Sequence, residues 1–418
     1  MEMEDLPSST ISCGKNSFLN NSSPRRQNRK RKCSISEAND ITIATDASDI
    51  QEDRWKLDEN VTVGGENHFL NLQISQETSD WNDQVFSKLS VEMMPEVSTP
   101  YVVFSSFPDF LENQRHRRSK IIAMMNGDES LGERKVVVDC YKYAMEHIID
   151  IDYEYIDHIP VYRVEKLYES TKTLDKTSMK NWIRHFANND LHVMSGSKRI
   201  KERCKRVNQW VNDFLWQLLY MMNKKQSTDP EELSEGMFQE LFLRFAKLFE
   251  LKLVGTPNVG RYSFDISGKE ISSVPDAVVI DPGKQNSVLA AVKVSKCYSK
   301  WNVLETHTKL RKVSESHDPV EHVDCELKGQ HLGGMLSVLC DSLFGPTGIF
   351  GFIVQATEVT IVAFATSENY LECIKTGNFP ERDSATVRYS EKCNILTKKG
   401  RCKLVRTFLD MVDLMEYL

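Results

Sequence analysis

Apolar residues recur along this chain at two different spacings, and the change from one to the other divides it. From about residue 81 to 225 the spacing is helical. Val137, Cys140, Tyr141, Met145 and Ile148 predict a helix over 133–149, and Trp182 and Phe186, four apart, predict another over 175–187. Residues 110–125 read as a further helix and 102–104, Val-Val-Phe, as a short strand. The longest periodic stretch is 197–223, where Val207, Trp210, Val211, Phe214, Leu215, Leu218 and Leu219 form one apolar stripe. The polar segment 223–230 ends in Asp229-Pro230, a helix-starting pair, so a domain boundary is expected there. From 231 to 418 the two spacings mix, as an α/β domain requires. Helices are predicted over 231–251, 329–343, 368–375 and 401–418. Strands are predicted over 262–266, 271–273, 277–280, 288–294, 348–354 and 359–365, several of them facing each other across short turns. Residues 299–328 read as a polar loop with one helical stretch at 303–313. Residues 1–80 keep no period, carry few aromatics and read as a disordered tail.

Composition narrows the function classes. The chain has 418 residues, room for two or three domains, and a net charge of −7, so nucleic-acid contact has to come from local patches. Its ten cysteines are scattered without a C-x-x-C, which predicts reduced thiols in a nuclear or cytosolic protein. No apolar run is long enough to span a bilayer, and no membrane partner is expected. His322-x-x-Cys325 lacks a second ligand pair, the 255–260 loop lacks a phosphate-loop ending, and Gly-x-Ser-x-Gly is absent.

Two basic patches stand out. Arg25, Arg26, Arg29, Lys30, Arg31 and Lys32 follow Pro24 in the tail, a compact cluster of the kind a nuclear-import receptor reads along an extended chain. Nuclear localisation is the expectation. Lys198, Arg199, Lys201, Arg203, Lys205 and Arg206 open the long helix, where cations oppose the macrodipole. They are either a solvated face or a phosphate-contacting surface.

The stretch that carries candidate chemistry is 274–296. Asp276 follows Pro275 at the entry of one strand, and Lys293 sits inside the next among small and β-branched residues. Taken alone, Asp276 caps a strand entry and Lys293 snorkels at a sheet edge. The order helix, hairpin, Pro-Asp strand, lysine-bearing strand, helix and hairpin over about 231–375 resembles the PD-(D/E)XK nuclease superfamily, the restriction-endonuclease-like fold. That resemblance implies a mixed sheet flanked by helices, following a mostly helical middle domain and the disordered tail. It implies that Asp276 binds a metal, that Lys293 orients a water, that Glu240 or Glu235 supplies an acid from the first helix, and that Gln330 of Gln330-His331-Leu332 lies on the helix after the hairpin. An active member would use Mg²⁺ or Mn²⁺, bound by hard carboxylate oxygens and lowering the pKa of a bound water. The motif departs at Ala291, two before Lys293, where the family carries an acid; alanine cannot ligate a metal.

The leading expectation is therefore a degenerate, inactive nuclease-like domain that needs no cofactor and binds nucleic acid, protein partners through helical surfaces, or both. Lys293, Lys296 and the basic helix would contact phosphate. Lys296 also belongs to a basic-aromatic cluster with Tyr298, Lys300 and Trp301. The alternatives are an active metal-dependent nuclease using Asp276 and Lys293, and a scaffold that binds no nucleic acid. A fluorescent fusion of residues 1–80 is expected to concentrate in nuclei and to spread through the cell once Arg29, Lys30, Arg31 and Lys32 are changed to Ala. An even distribution of the unaltered fusion would count against import.

Overall fold

A computed structural model describes residues 74–94, 97–107, 131–173, 198–226, 232–284, 287–297, 325–379 and 383–417, with a few isolated positions besides. In chain order the elements are α1 (Asp83–Lys88), β1 (Val91–Met93), α2 (Pro100–Ser105), α3 (Leu131–Tyr143, continued by a π turn at Ala144–Ile148), α4 (Val161–Thr173), α5 (Lys198–Lys225) and α6 (Glu235–Lys247). There follow β2 (Leu253–Gly255), β3 (Tyr262–Ile266), β4 (Lys269–Ser273), β5 (Ala277–Asp281), β6 (Ser287–Ser295), α7 (Cys325–Val338), β7 (Gly348–Gln355), β8 (Glu358–Thr366), α8 (Tyr370–Thr376), β9 (Ala385–Tyr389), β10 (Cys393–Asn394) and α9 (Lys398–Tyr417). The expected helices at 110–125, 175–187 and 303–313 and the import cluster at 25–32 lie outside the described residues, isolated positions aside.

One local expectation is overturned. Residues 102–104 belong to α2, not to a strand. Thr99 Oγ1 accepts from the Val102 N–H and Pro100 stands at the first helical position, and these start signals override the β preference of Val-Val-Phe.

The sheet runs β1-β9-β8-β7-β6-β5-β2, with β10 also on β8. The β1–β9 and β6–β7 pairs are parallel and the others antiparallel, and β3–β4 form a separate hairpin. β7 and β8 are buried at every position, which is why they read as unbroken apolar runs without alternation. Their side chains feed two cores. Phe350, Phe352 and Val354 project into one, shared with α2, α3, α5, α6 and α9; Ile349 and Ile353 project into the other, shared with α1, α7, α8 and the β3–β4 hairpin. Phe242, Phe245, Phe249, Phe352 and Phe408 interlock at the centre of the first, with ring centroids 5.1–5.9 Å apart. The fold is a mixed sheet flanked by helices.

The regions expected at 81–225 and 231–418 meet in these cores. β1 comes from the first region and pairs with β9 of the second, while α3 and α5 pack with α6 and α9. Residues 74–80, expected in the tail, include a 3-10 turn at Thr78–Asp80, and Ile74 is buried in the second core.

Arg401 on α9 joins the two regions polarly. Its guanidinium is fully buried and donates to Met145 O (3.2 and 2.9 Å), Ile149 O (2.5 Å), Ile151 O (2.9 Å) and Ile395 O (3.1 Å). Met145 and Ile149 lie in and just after the π turn that ends α3, where carbonyls lose their intrahelical partners and the dipole is negative. Burial pulls the guanidinium down to about 10, and Asp150 and Asp152 partly oppose the shift. Among the described residues Cys297, Cys373, Cys393 and Cys402 are thiols, whereas Cys340 departs from the expected reduced state and is disulfide-bonded.

Replacing Arg401 by Met should cost roughly 3–5 kcal/mol in urea unfolding, since it strips buried carbonyls of their donors. Arg401→Lys should recover only part of this, because an ammonium cannot span the carbonyls a guanidinium reaches. A loss below about 1 kcal/mol for the Met variant would contradict the role assigned to this contact.

Candidate functional site

Asp276 lies immediately before β5 and is tied to the sheet on all sides. Its N–H donates to Val292 O at 3.0 Å, and its carbonyl accepts from Thr256 N at 2.8 Å and from Gln239 Nε2 at 2.7 Å. The pairing Ala277↔Val292 and Val278↔Ala291 brings the Asp276 carboxylate beside residues 293 and 294. Oδ2 accepts the Val294 N–H at 2.7 Å and lies 3.1 Å from Lys293 Nζ. The two side chains keep only 23% and 22% of their surface in water, so this ion pair is largely shielded from solvent. Strand alternation decides the rest. Val292 and Val294 point into the first core, so Ala291 and Lys293 project from the opposite face, the one α7 covers.

α7 brings His331 onto Ala291. Nε2 is 3.3 Å from Ala291 O and, since that oxygen accepts, carries the proton. The ring lies against β7 at Gly351, where a Cβ would come within 2.3 Å of Cε1, so this helix–strand approach requires glycine. Burial, with a smaller contribution from the Lys293 cation, pulls His331 down to about 4; the bond to Ala291 O resists that shift. Nδ1 is buried without a hydrogen-bond partner. Gln330 donates from Nε2 to Glu326 Oε1 at 3.1 Å along the helix. It stands one turn before Gly334, whose nearest neighbours are Pro275 and Ser273, so α7 places Gln330 on the side of the Pro275-Asp276 corner.

The remaining candidates are dispersed. Glu240 does not reach Asp276: its carboxylate accepts from Arg244 Nε at 2.8 Å and lines a groove between α5 and α6. The residue of α6 that reaches Asp276 is its neighbour Gln239, an amide, which also accepts from Thr256 Oγ1 at 3.1 Å. The carboxylate and amide point differently because one residue turns a helix by about 100°. β2 comes this close only because residue 255 is glycine; a Cβ there would lie 2.7 Å from Gln239 Nε2. Lys296 is paired with Glu232 at 2.8 Å, which raises the lysine and lowers the carboxylate. Arg206 is 3.4 Å from Glu250 and 5.9 Å from the Trp210 ring centre. Lys198, Arg199, Lys201, Arg203 and Lys205 lie on the first turns of α5, but their side chains are outside the described residues.

The residues present do not fit the divalent ion that the resemblance implies. Asp276 is a single carboxylate with Oδ2 already engaged twice, Ala291 offers no oxygen from its side chain, and α6 presents an amide. Among the described residues no three His, Cys, Asp or Glu side chains are arranged to hold a metal. No protein-family model, curated protein or solved structure matches the chain.

His331 makes the second core sensitive to acid. Above pH 6.5 it is neutral folded or unfolded and contributes no pH dependence. As pH falls from 6.5 towards 4 the unfolded chain takes up a proton that the folded one refuses, so stability drops by on the order of 3 kcal/mol. Chemical unfolding of the native chain and of His331→Gln, compared across that range, should show the native chain losing the larger amount. Parallel curves would rule out the assignment.

Proposed function

We propose that this chain is a nuclear nucleic-acid-binding protein built on a degenerate nuclease-like domain, one that holds its ligand without cleaving it. The chain order α6, β3–β4 hairpin, β5, β6, α7 and β7–β8 pair matches the order of the resemblance, although β3–β4 stand apart from the main sheet, and it has Asp276 at the head of β5 and Lys293 on β6. The observation that carries the reading is the state of the Asp276 carboxylate. One of its oxygens serves the Val294 amide and the Lys293 ammonium together, with alanine two residues before the lysine. A carboxylate used in this way stabilises the β5–β6 corner and neutralises the lysine; it does not gather the ligand charge that Mg²⁺ requires before it gives up water.

With cleavage set aside, binding falls to surface cations outside the corner. Such binding is dominated by phosphate contacts and weakens steeply with salt. The purified full chain, mixed with labelled DNA and RNA, single- and double-stranded, in low salt with Mg²⁺ or Mn²⁺, should retard at least one of them and leave it intact. Its affinity should fall roughly linearly in log–log against salt. Cleavage that disappears in Asp276→Ala would make the chain a working nuclease instead. Neither retardation nor cleavage would leave the protein-scaffold reading.

A further inference from the structure

Of the cations expected to meet phosphate, the three with described side chains are already paired: Lys293 with Asp276, Lys296 with Glu232 and Arg206 with Glu250. A different surface has cations to spare. A groove of about 910 Å³ opens between α2, the end of α3 with its π turn, and the first turns of α9. Its walls carry five Lys and Arg side chains, Lys142, Lys398, Lys399, Lys403 and Arg406, against the carboxylates of Glu146 and Asp150. That local excess of positive charge stands on a chain whose net charge is −7.

The pairing inside the groove is incomplete. Lys398 is held by Asp150 at 2.5 Å and Lys403 by Glu391. Lys142 and Lys399 are exposed, and among the described residues neither makes an ion pair. Arg406 is 3.8 Å from Asp410 Oδ2 one turn on, and lies against Tyr101, its guanidinium carbon 3.7 Å from the ring centre and its Nη2 donating to the Tyr101 hydroxyl at 2.6 Å. One wall is thus a planar aromatic and a planar cation held together.

Carboxylates of the fold account for Lys398 and Lys403 but not for Lys142 and Lys399. α9 has no acid in its first turn, where the macrodipole favours one, and instead places Lys398 and Lys399 there, which adds positive charge to a positive helix end. Of the basic residues in its first half, Arg401 alone is consumed by the core. Asp150 answers Lys398, but among the described residues no acid answers Lys399, and a bound anion would relieve that position.

We infer that this groove holds the phosphate backbone of a nucleic acid, with Lys142 and Lys399 contacting phosphates and the Tyr101–Arg406 pair supporting an adjacent sugar or base. The inference rests on the nucleic-acid reading above and gives it a location. A guanidinium stacked on an aromatic ring beside unpaired lysines suits a strand that carries both phosphates and flat bases better than it suits an acidic peptide.

The test uses the full chain, with the DNA or RNA it retards best as the probe. Lys142→Gln combined with Lys399→Gln removes two exposed charges that no described residue uses, so the urea midpoint should not move. Affinity at low salt should fall by about tenfold or more, and the log–log salt slope should shrink by roughly 1.4–1.8, the share of two phosphate contacts. Arg406→Ala should weaken binding further, while Lys269→Gln combined with Lys375→Gln, away from the groove, should leave it unchanged. If the native chain binds the probe and the Lys142/Lys399 variant binds it equally well, the groove assignment is overturned while the nucleic-acid reading stands. If the native chain binds no nucleic acid, both fall. If a poly-glutamate peptide binds more tightly than the probe and loses binding in the same variant, the occupant is an acidic protein segment and the inference is overturned.

Discussion

A buried guanidinium is costly to desolvate, and Arg401, with no carboxylate bonded to it among the described residues, is held by the backbone oxygens that surround it. Those oxygens come from the end of α3, the segment after it and the turn before α9. The charge therefore locks the close of one helix to the start of another that is more than two hundred residues away in sequence. With that contact in place, α3 and α9 lie side by side on one face of the sheet, and the Phe cluster around Phe408 fills the space beneath them. The groove carrying Lys142 and Lys399 is the outer surface of the same junction. Its two walls are positioned by a contact that takes no part in any binding.

The Asp276–Lys293 corner obeys a similar economy of polar groups. A carboxylate at a strand entry needs donors, and here it finds an amide and an ammonium from the partner strand. His331 on the other side of Ala291 is kept neutral in an apolar layer and spends its one proton on a strand carbonyl. The corner is thereby closed by hydrogen bonds where the family resemblance leads one to look for a metal.

Much of this fold could be read in the sequence, and the limits follow from range. Long periodic stretches were legible because each residue's partners lie three or four positions away: 197–223 became α5 and 401–418 became α9. The 274–296 hairpin was legible because turn and strands are adjacent, and its pairing did bring Asp276 to Lys293. β1 was not, since three residues carry no period of their own and take strand form only by lying against β9. α2 was missed because Thr99 and Pro100 outweigh three β-favouring residues. The choice of Glu240 failed on helix phase: chemistry favoured the acid, but the rotation of α6 aims Gln239 at the corner. Nothing in the sequence distinguishes Lys142 and Lys399 from other solvated lysines, because the groove uniting them exists only after α3 and α9 have met.

The β1–β9 pairing also sets the order in which the protein can be made. Val91 leaves the ribosome long before Ala385, its partner across the sheet edge. β7 and β8, buried at every position and mostly apolar, likewise precede α9, which supplies much of the cover over their first-core face. For that interval a growing chain carries two sticky central strands and one unpaired edge, the condition under which nascent proteins aggregate or recruit chaperones. The β1 edge thus closes only once β9 has been made, and the first-core face of β7 and β8 is covered only once α9 follows.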